Sequence, residues 1–205
     1  MLPLDIARTH QRHIAAGRTV AITTNTAETA RTINLAIQHP RGSNPEVRLA
    51  DGTTARVGDQ IATRRNDPML RTDRGEKVRN RHTWTVTAVD EDGSLTVTHP
   101  DRGDVALPGR YVAEHVELGW AVTGYGNQGD TVDVGIAVLE PGTTRNHAYV
   151  AMTRGRDTNL AVIPDATGTL DPAGALTDMI GHTPRHDSAL AVRARLHREA
   201  GLPEP

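Results

Sequence analysis

The sequence predicts an α/β protein, a parallel sheet with helices that is interrupted by a block of short antiparallel strands folding as a small SH3-like β-barrel. Three observations predict it. Residues 4–38 read as helix, strand, polar turn and helix; residues 46–107 carry short strands and turns without a helix; after Pro108 long apolar runs return around a glycine-rich loop.

Apolar residues recur at helical spacing over 4–16, and Gly17 is a good stop. A β-branched strand at 19–23 follows, then the polar turn Thr24-Asn25-Thr26. Thr26 can cap a second helix over 27–38, with Glu28 in its first turn where the helix dipole favours an acid. The breaker-rich stretch 39–45 marks a linker.

Beyond it, strands are expected at 47–50, 59–65, 82–89 and 94–99, with turns at Asp51-Gly52, Asp92-Gly93 and Arg102-Gly103. Residues 84–89 alternate with period two, as a half-buried antiparallel strand does. The run at 118–123 leads into the glycine-rich loop 124–130. Residues 132–139 are almost continuously apolar, the signature of a strand covered on both faces. Thr143 or Thr144 caps a helix running to about Thr153, and a last buried strand is expected at 160–163. Helices at 171–180 and 187–200 complete the chain, and no internal repeat is visible.

Composition narrows the chemistry. Of 205 residues 37% are hydrophobic and 2% aromatic, with no Phe, so the core is built from Val, Ala, Leu and Ile. The formal net charge of -2 argues against a generally basic nucleic-acid binder but leaves room for a local arginine stripe. Cysteine is absent, which excludes disulfides, zinc–thiolate sites and thiol nucleophiles. No stretch approaches the roughly 18 apolar residues a membrane span needs, and the first residues lack a signal-peptide pattern, so a cytoplasmic chain is expected. No metal site is expected. His10 and His13 have helical spacing but no third ligand and read as a surface helix; Asp90-Glu-Asp92 reads as a turn.

Two loops beside the apolar runs are candidates for a site. One is residues 123–129; the other holds Arg154 and Arg156 at a helix end. Ligands of parallel sheets gather at the carboxyl ends of strands, where glycine admits close approach of phosphate to backbone N–H groups. Taken singly, the first reads as a flexible turn and the second as a solvated helix end.

As literal strings they say more. Leu118-Gly-Trp-Ala-Val-Thr-Gly-Tyr-Gly-Asn-Gln-Gly-Asp-Thr-Val-Asp133 resembles the fifth motif of superfamily-one helicases, and His147-Ala-Tyr-Val-Ala-Met-Thr-Arg-Gly-Arg-Asp-Thr-Asn159 resembles their sixth. The chain is similar to the C-terminal motor domain of RecD-like helicases, in particular the helicase part of TraA/MobF-type conjugative relaxases in their actinobacterial versions. The resemblance covers most of residues 1–163, with residues 58–66 and 92–97 and Leu107-Pro108 supporting it within the insert.

The resemblance implies a RecA-like second motor domain, split into residues 1–45 and 108–168, an SH3-like insert at 46–107 and a helical tail at 169–205. It implies that Arg154 is the finger reaching the γ-phosphate of ATP, with Gln128, Gly129 and Arg156 beside the nucleotide. Thr123 and Tyr125 would face single-stranded DNA, Thr24 and Asn25 its backbone, and Arg64 and Arg65 its phosphates. Arg64 and Arg65 read equally as surface charge.

The departures matter as much. Tyr125-Gly126-Asn127 replaces the His-Lys-Ser common in the fifth motif, and Val78-Arg-Asn-Arg81 replaces a common Val-x-Asn-Gly. A phosphate-binding loop needs Gly-Lys followed by Ser or Thr, and the one lysine, Lys77, fits none; no apolar run ends in the paired acids that hold magnesium. The expectation is half of an ATP-dependent DNA helicase. It would use ATP and Mg2+ only within a complete motor, whose first RecA-like domain is supplied in cis or trans. The alternatives are a non-enzymatic DNA-binding or interaction remnant of such a helicase, and an unrelated metabolic α/β enzyme holding phosphate on the 124–130 loop.

Overall fold

The computed structural model describes residues 3–38, 45–124, 132–140, 142–165, 169 and 171–181. Tyr125, Gln128, Gly129 and the expected helix at 187–200 lie outside the described residues.

The chain opens with α1 (Pro3–Ala15), β1 (Val20–Thr24) and α2 (Ala27–Ile37). The Thr26 side chain accepts the Thr29 N–H and caps α2, as its place before the apolar period predicts. The expected surface helix at His10 is instead half-buried. Ile6, Ala7 and His10 of α1 are all buried, since the ring falls on the same helical stripe as the two apolar residues.

Nine strands and one helix follow before the chain returns to the first sheet or completes it: β2 (Glu46–Arg48), β3 (Thr54–Arg56), β4 (Gln60–Thr63), β5 (Asp67–Arg71), β6 (Lys77–Val78), β7 (Thr83–Val89), β8 (Leu95–His99), β9 (Gly103–Leu107), α3 (Gly109–His115) and β10 (Val116–Leu118). Strands β10, β4, β7, β8 and β9 form an antiparallel sheet in that order, and β2–β3 and β5–β6 are separate two-stranded ribbons. Trp84, Ile61, Leu95 and Leu107 are almost completely buried in their common core.

This unit does not end at 107. Val116 and Leu118 pair with Thr63 and Ile61, and Tyr111 and Val112 of α3 fill the same core, so the antiparallel unit runs to Leu118. The apolar run expected as one strand at 118–123 is therefore divided between two sheets.

The parallel sheet contains β1 with β11 (Ala121–Thr123), β12 (Val132–Val138) and β13 (Gly155–Val162), ordered β11-β1-β12-β13. All three pairings are parallel. Helix α4 (Arg145–Ala151), capped by Thr144, and α5 (Pro172–Gly181) cover one face through Leu139, Ala148 and Ala151. Helices α1 and α2 belong to the core formed with Ile22, Val134 and Ile136. The α/β fold with an SH3-like insertion is thus present as the sequence predicts.

Three contacts fix the barrel to the sheet. Trp120 packs against both cores. Buried Asn34 of α2 donates to the Leu118 and Ala121 carbonyls and accepts the Ala121 N–H. Gln38, capping α2, donates to the Thr54 carbonyl and to Asp59. Among the described residues no helix is long and apolar enough to cross a membrane.

Candidate nucleic-acid and nucleotide interface

Because the strands are parallel, the expected site residues divide between the two edges of one sheet. Thr24 and Thr123 pair in register at the carboxyl ends of β1 and β11. The Thr24 hydroxyl is turned inward, donating to the Thr26 carbonyl at 2.9 Å, and its side chain is fully buried. Thr24 therefore shapes the turn, while its neighbour Asn25 stands beyond the strand. The Asn25 amide donates to the Thr143 hydroxyl, and its own carbonyl oxygen is buried without a hydrogen-bond partner among the described residues.

Two residues join this edge that the sequence did not mark as site residues, Thr143 and His147. Thr143 also donates its hydroxyl to the Glu140 carbonyl at 2.6 Å, which holds it against Asn25. The His147 imidazole covers Gly124: a β-carbon there would stand 2.5 Å from Cε1 of the ring. Glycine at 124 is what allows the first turn of α4 to close over the end of β11. His147 opens the second motif string, which was the available signal; its contact with the first string was not legible, since the two are distant in sequence.

Arg154 and Arg156 lie at the opposite, amino edge. The helix expected to run to Thr153 ends at Ala151, and β13 begins at Gly155, so Arg156 is a strand residue and not part of a helix end. The Arg156 Nε donates to Asp133 Oδ1 at 2.9 Å. Asp133 Oδ2 accepts both the backbone N–H and the hydroxyl of Thr19, at 2.7 and 2.8 Å. These donors, the Thr19 backbone first, hold the Asp133 carboxyl below its ordinary pKa. Arg156 is thus tied down.

Arg154 is not. Its side chain is half-buried and makes no hydrogen bond or ion pair to a described residue, and its Nε is buried without a partner. Gly135 on β12 lets this segment pack closely: a β-carbon there would stand 2.6 Å from Asn159 Oδ1, 2.9 Å from the Gly155 nitrogen and 3.4 Å from the Arg154 Cβ. The described residues flanking 125–131 lie at opposite edges: Gly124 N–H donates to Thr24 O at one, and Val132 N–H to Arg154 O at the other.

Arg64 and Arg65 end β4 on the barrel and separate in environment. Arg64 pairs with Glu117 at 3.4 Å and lines a cavity of about 230 Å³ with Thr123, Arg31 and Asp51, between barrel and sheet. Burial raises the Glu117 carboxyl pKa, and Arg64 offsets part of the rise. Arg65 is exposed, with its guanidinium 3.0 Å from His115 Nε2. Thr123 and Arg64 therefore share one cavity. No group of three His, Asp or Glu side chains placed to hold a metal occurs among the described residues.

Comparison with known proteins follows the same division. Residues 47–117 match the family model described as the Rv2311 SH3-like barrel domain, agreeing with the barrel limits drawn from the strand pairing. Uncharacterized protein Rv2311 of Mycobacterium tuberculosis (strain H37Rv) is 35% identical over 108 residues, covering 52% of this chain and 60% of that protein. Multifunctional conjugation protein TraI of Escherichia coli is 34% identical over 122 residues, 54% of this chain but 7% of its own length. The chain thus spans less than two thirds of each of these relatives.

Among solved structures, Pif1 helicase from Candida albicans superposes with a TM-score of 0.53 over 96% of this chain and 54% of that chain, at 13% identity. Pif1 helicase from Bacteroides, in complex with ADP-AlF3 and ssDNA, does so with a TM-score of 0.52 over 89% and 46%, at 17% identity. The chain has a helicase-like fold. Its parallel sheet is RecA-like, and its barrel is the SH3-like insertion.

Proposed function

We propose that the chain is the C-terminal half of an ATP-dependent DNA helicase of the relaxase-helicase type, RecD-like and similar to the actinobacterial TraA/MobF proteins. One observation carries the reading. Of two arginines two residues apart, Arg156 is anchored by Asp133, while Arg154 is half-buried and has no hydrogen-bond or ion-pair partner among the described residues. A buried guanidinium Nε–H without an acceptor is costly, and a phosphate oxygen supplied from across an interdomain cleft would satisfy it. In this reading Arg154 is the finger that stabilises charge on the transferred phosphoryl group, and Arg156 holds the segment in place.

The helicase-like fold and the kinship with the conjugation protein support the setting. The opposite edge, with Asn25, Thr123 and Arg64 and with buried Thr24 shaping its turn, is the face we assign to single-stranded DNA; Tyr125 extends it by sequence. Gln128 and Gly129 belong to the segment that links this face to the arginine edge and would report nucleotide state to the strand grip. ATP and Mg2+ would bind chiefly to a first RecA-like motor domain, supplied in cis or trans.

The experiment is an ATPase assay with single-stranded DNA, run with and without a purified first motor domain. Activity is expected on reconstitution and to fall by about 10³ in Arg154→Ala. Hydrolysis by the chain alone, or reconstituted activity that survives Arg154→Ala, would sink the proposal. DNA binding without nucleotide response under any supplement would favour a non-enzymatic remnant.

A further inference from the structure

We infer that the β5–β6 ribbon of the barrel is a second nucleic-acid contact, one that grips the phosphate backbone of duplex DNA without reading sequence. The inference deepens the helicase reading and rests on its premise that the chain engages DNA.

Residues 64–81 hold seven arginine and lysine side chains against three carboxylates, in a chain whose net charge is -2. The placement of these charges is more telling than their number. Arg71 and Lys77 are direct cross-strand partners, and both are exposed. Like charges directly opposite each other destabilise a ribbon. Among the described residues neither makes an ion pair: Arg71 donates to the Gly75 carbonyl at 3.2 Å, and Lys77 has no partner. Arg74 likewise points its guanidinium at the backbone carbonyls of Pro100 and Asp101, and exposed Arg79 forms no ion pair with a described residue.

Two of the three nearby acids are engaged by backbone N–H groups, and exposed Glu76 makes no ion pair among the described residues. Asp67 accepts the Met69 N–H, and Asp73 accepts the Asp104 N–H. The ribbon is also held firmly. Asp73 N–H donates to Asp104 O at 2.9 Å, Val78 is buried and Leu70 packs on the barrel core. A rigid ribbon presenting an unneutralised like-charge pair is stabilised by a polyanion and by little else.

The chemistry selects the ligand. Guanidinium forks match phosphate oxygens, and residues 64–81 contain no aromatic side chain on which a free base would stack. Duplex DNA offers one negative charge per about 1.7 Å of axis and so fits a contact made of cations alone. The one large apolar side chain on the outer surface, Met69, is 86% exposed and would rest on sugar rings instead of selecting a base.

The test is fluorescence anisotropy of the full chain with labelled duplex and single-stranded oligonucleotides over a salt series, comparing wild type with the double variant Arg71→Ala/Lys77→Ala. The slope of log affinity against log salt on duplex should flatten by about 1.8, since two phosphate contacts are removed. The thermal midpoint should hold or rise, because a repulsion is removed with the contacts. An unchanged duplex slope, or a loss confined to single-stranded DNA, would overturn the inference while leaving the helicase reading intact. Wild-type chain that binds neither oligonucleotide would overturn both.

Discussion

Gly124 and His147, from the two motif strings, meet face to face: the imidazole occupies the space in which any side chain at 124 would begin. The contact joins the end of β11 to the first turn of α4 at the carboxyl edge of the sheet. Gly124→Ala places a methyl 2.5 Å from Cε1, but that atom belongs to a ring that can rotate away. We expect a small loss of stability, about 1 kcal/mol or less, and a clear loss of single-stranded DNA affinity as the ring is pushed out. Binding and urea denaturation measured on the same variant separate the two effects. A variant that unfolds without changing affinity would assign the contact to packing alone.

The Arg156–Asp133–Thr19 chain predicts a second pattern. Arg156→Ala and Asp133→Asn remove the same bond from its two ends, so they should lower reconstituted ATPase activity alike, by about tenfold, as partners that orient a reacting group do. Arg154→Ala should cost far more. The double variant Arg156→Ala/Asp133→Asn should be no worse than either single one. Additive losses in that cycle would show that Arg156 meets the nucleotide by itself.

The sequence carried the architecture further than the site. Paired Asp-Gly turns and the alternation at 84–89 were enough to expect the barrel, and the apolar run 132–139 enough to expect a covered strand. The ribbon β5–β6 went unseen because its outer face is charged and its strands are short, so it lacks an apolar period. The end of the barrel was misplaced because residues 118–122 read as one unbroken apolar run, and only pairing partners reveal that Leu118 faces Ile61 while Ala121 faces Ile22. Motif strings singled out Arg154 and Arg156 together. That one is held by Asp133 and the other has no partner among the described residues depends on strand register, which spacing alone does not encode.

Asn34 gives a prediction about how the two units hold together. Its side chain satisfies the Leu118 and Ala121 carbonyls and the Ala121 N–H, at 3.0, 3.0 and 2.7 Å, at the point where the chain leaves one sheet for the other. Asn34→Leu keeps the branched outline, though bulkier, and removes the partner of all three groups, at a cost of about 3 kcal/mol or more. Urea unfolding should then change character, with barrel and parallel sheet melting in separate transitions by Trp84 and Trp120 fluorescence. A single transition at the wild-type midpoint would show that Trp120 and Gln38 suffice to couple them.

His10 sets an acid limit on stability. Burial first, and the neighbouring His13 second, lower its pKa from 6.5 to about 4. The folded chain therefore holds His10 neutral while the unfolded chain takes up a proton below about pH 6.5, so the native state binds fewer protons in that window. Stability contributed by the neutral ring is complete above pH 6.5 and is lost as the pH falls towards 4, amounting to about 2–3 kcal/mol at the bottom of the range. Carboxylates such as Asp133 also lose native interactions in acid, so the total pH dependence does not isolate the ring. The difference between wild type and His10→Leu does. Measured by urea denaturation between pH 7 and pH 4, it should shift in favour of the variant as the pH drops. A difference independent of pH would mean that the ring is solvated enough to titrate normally on α1.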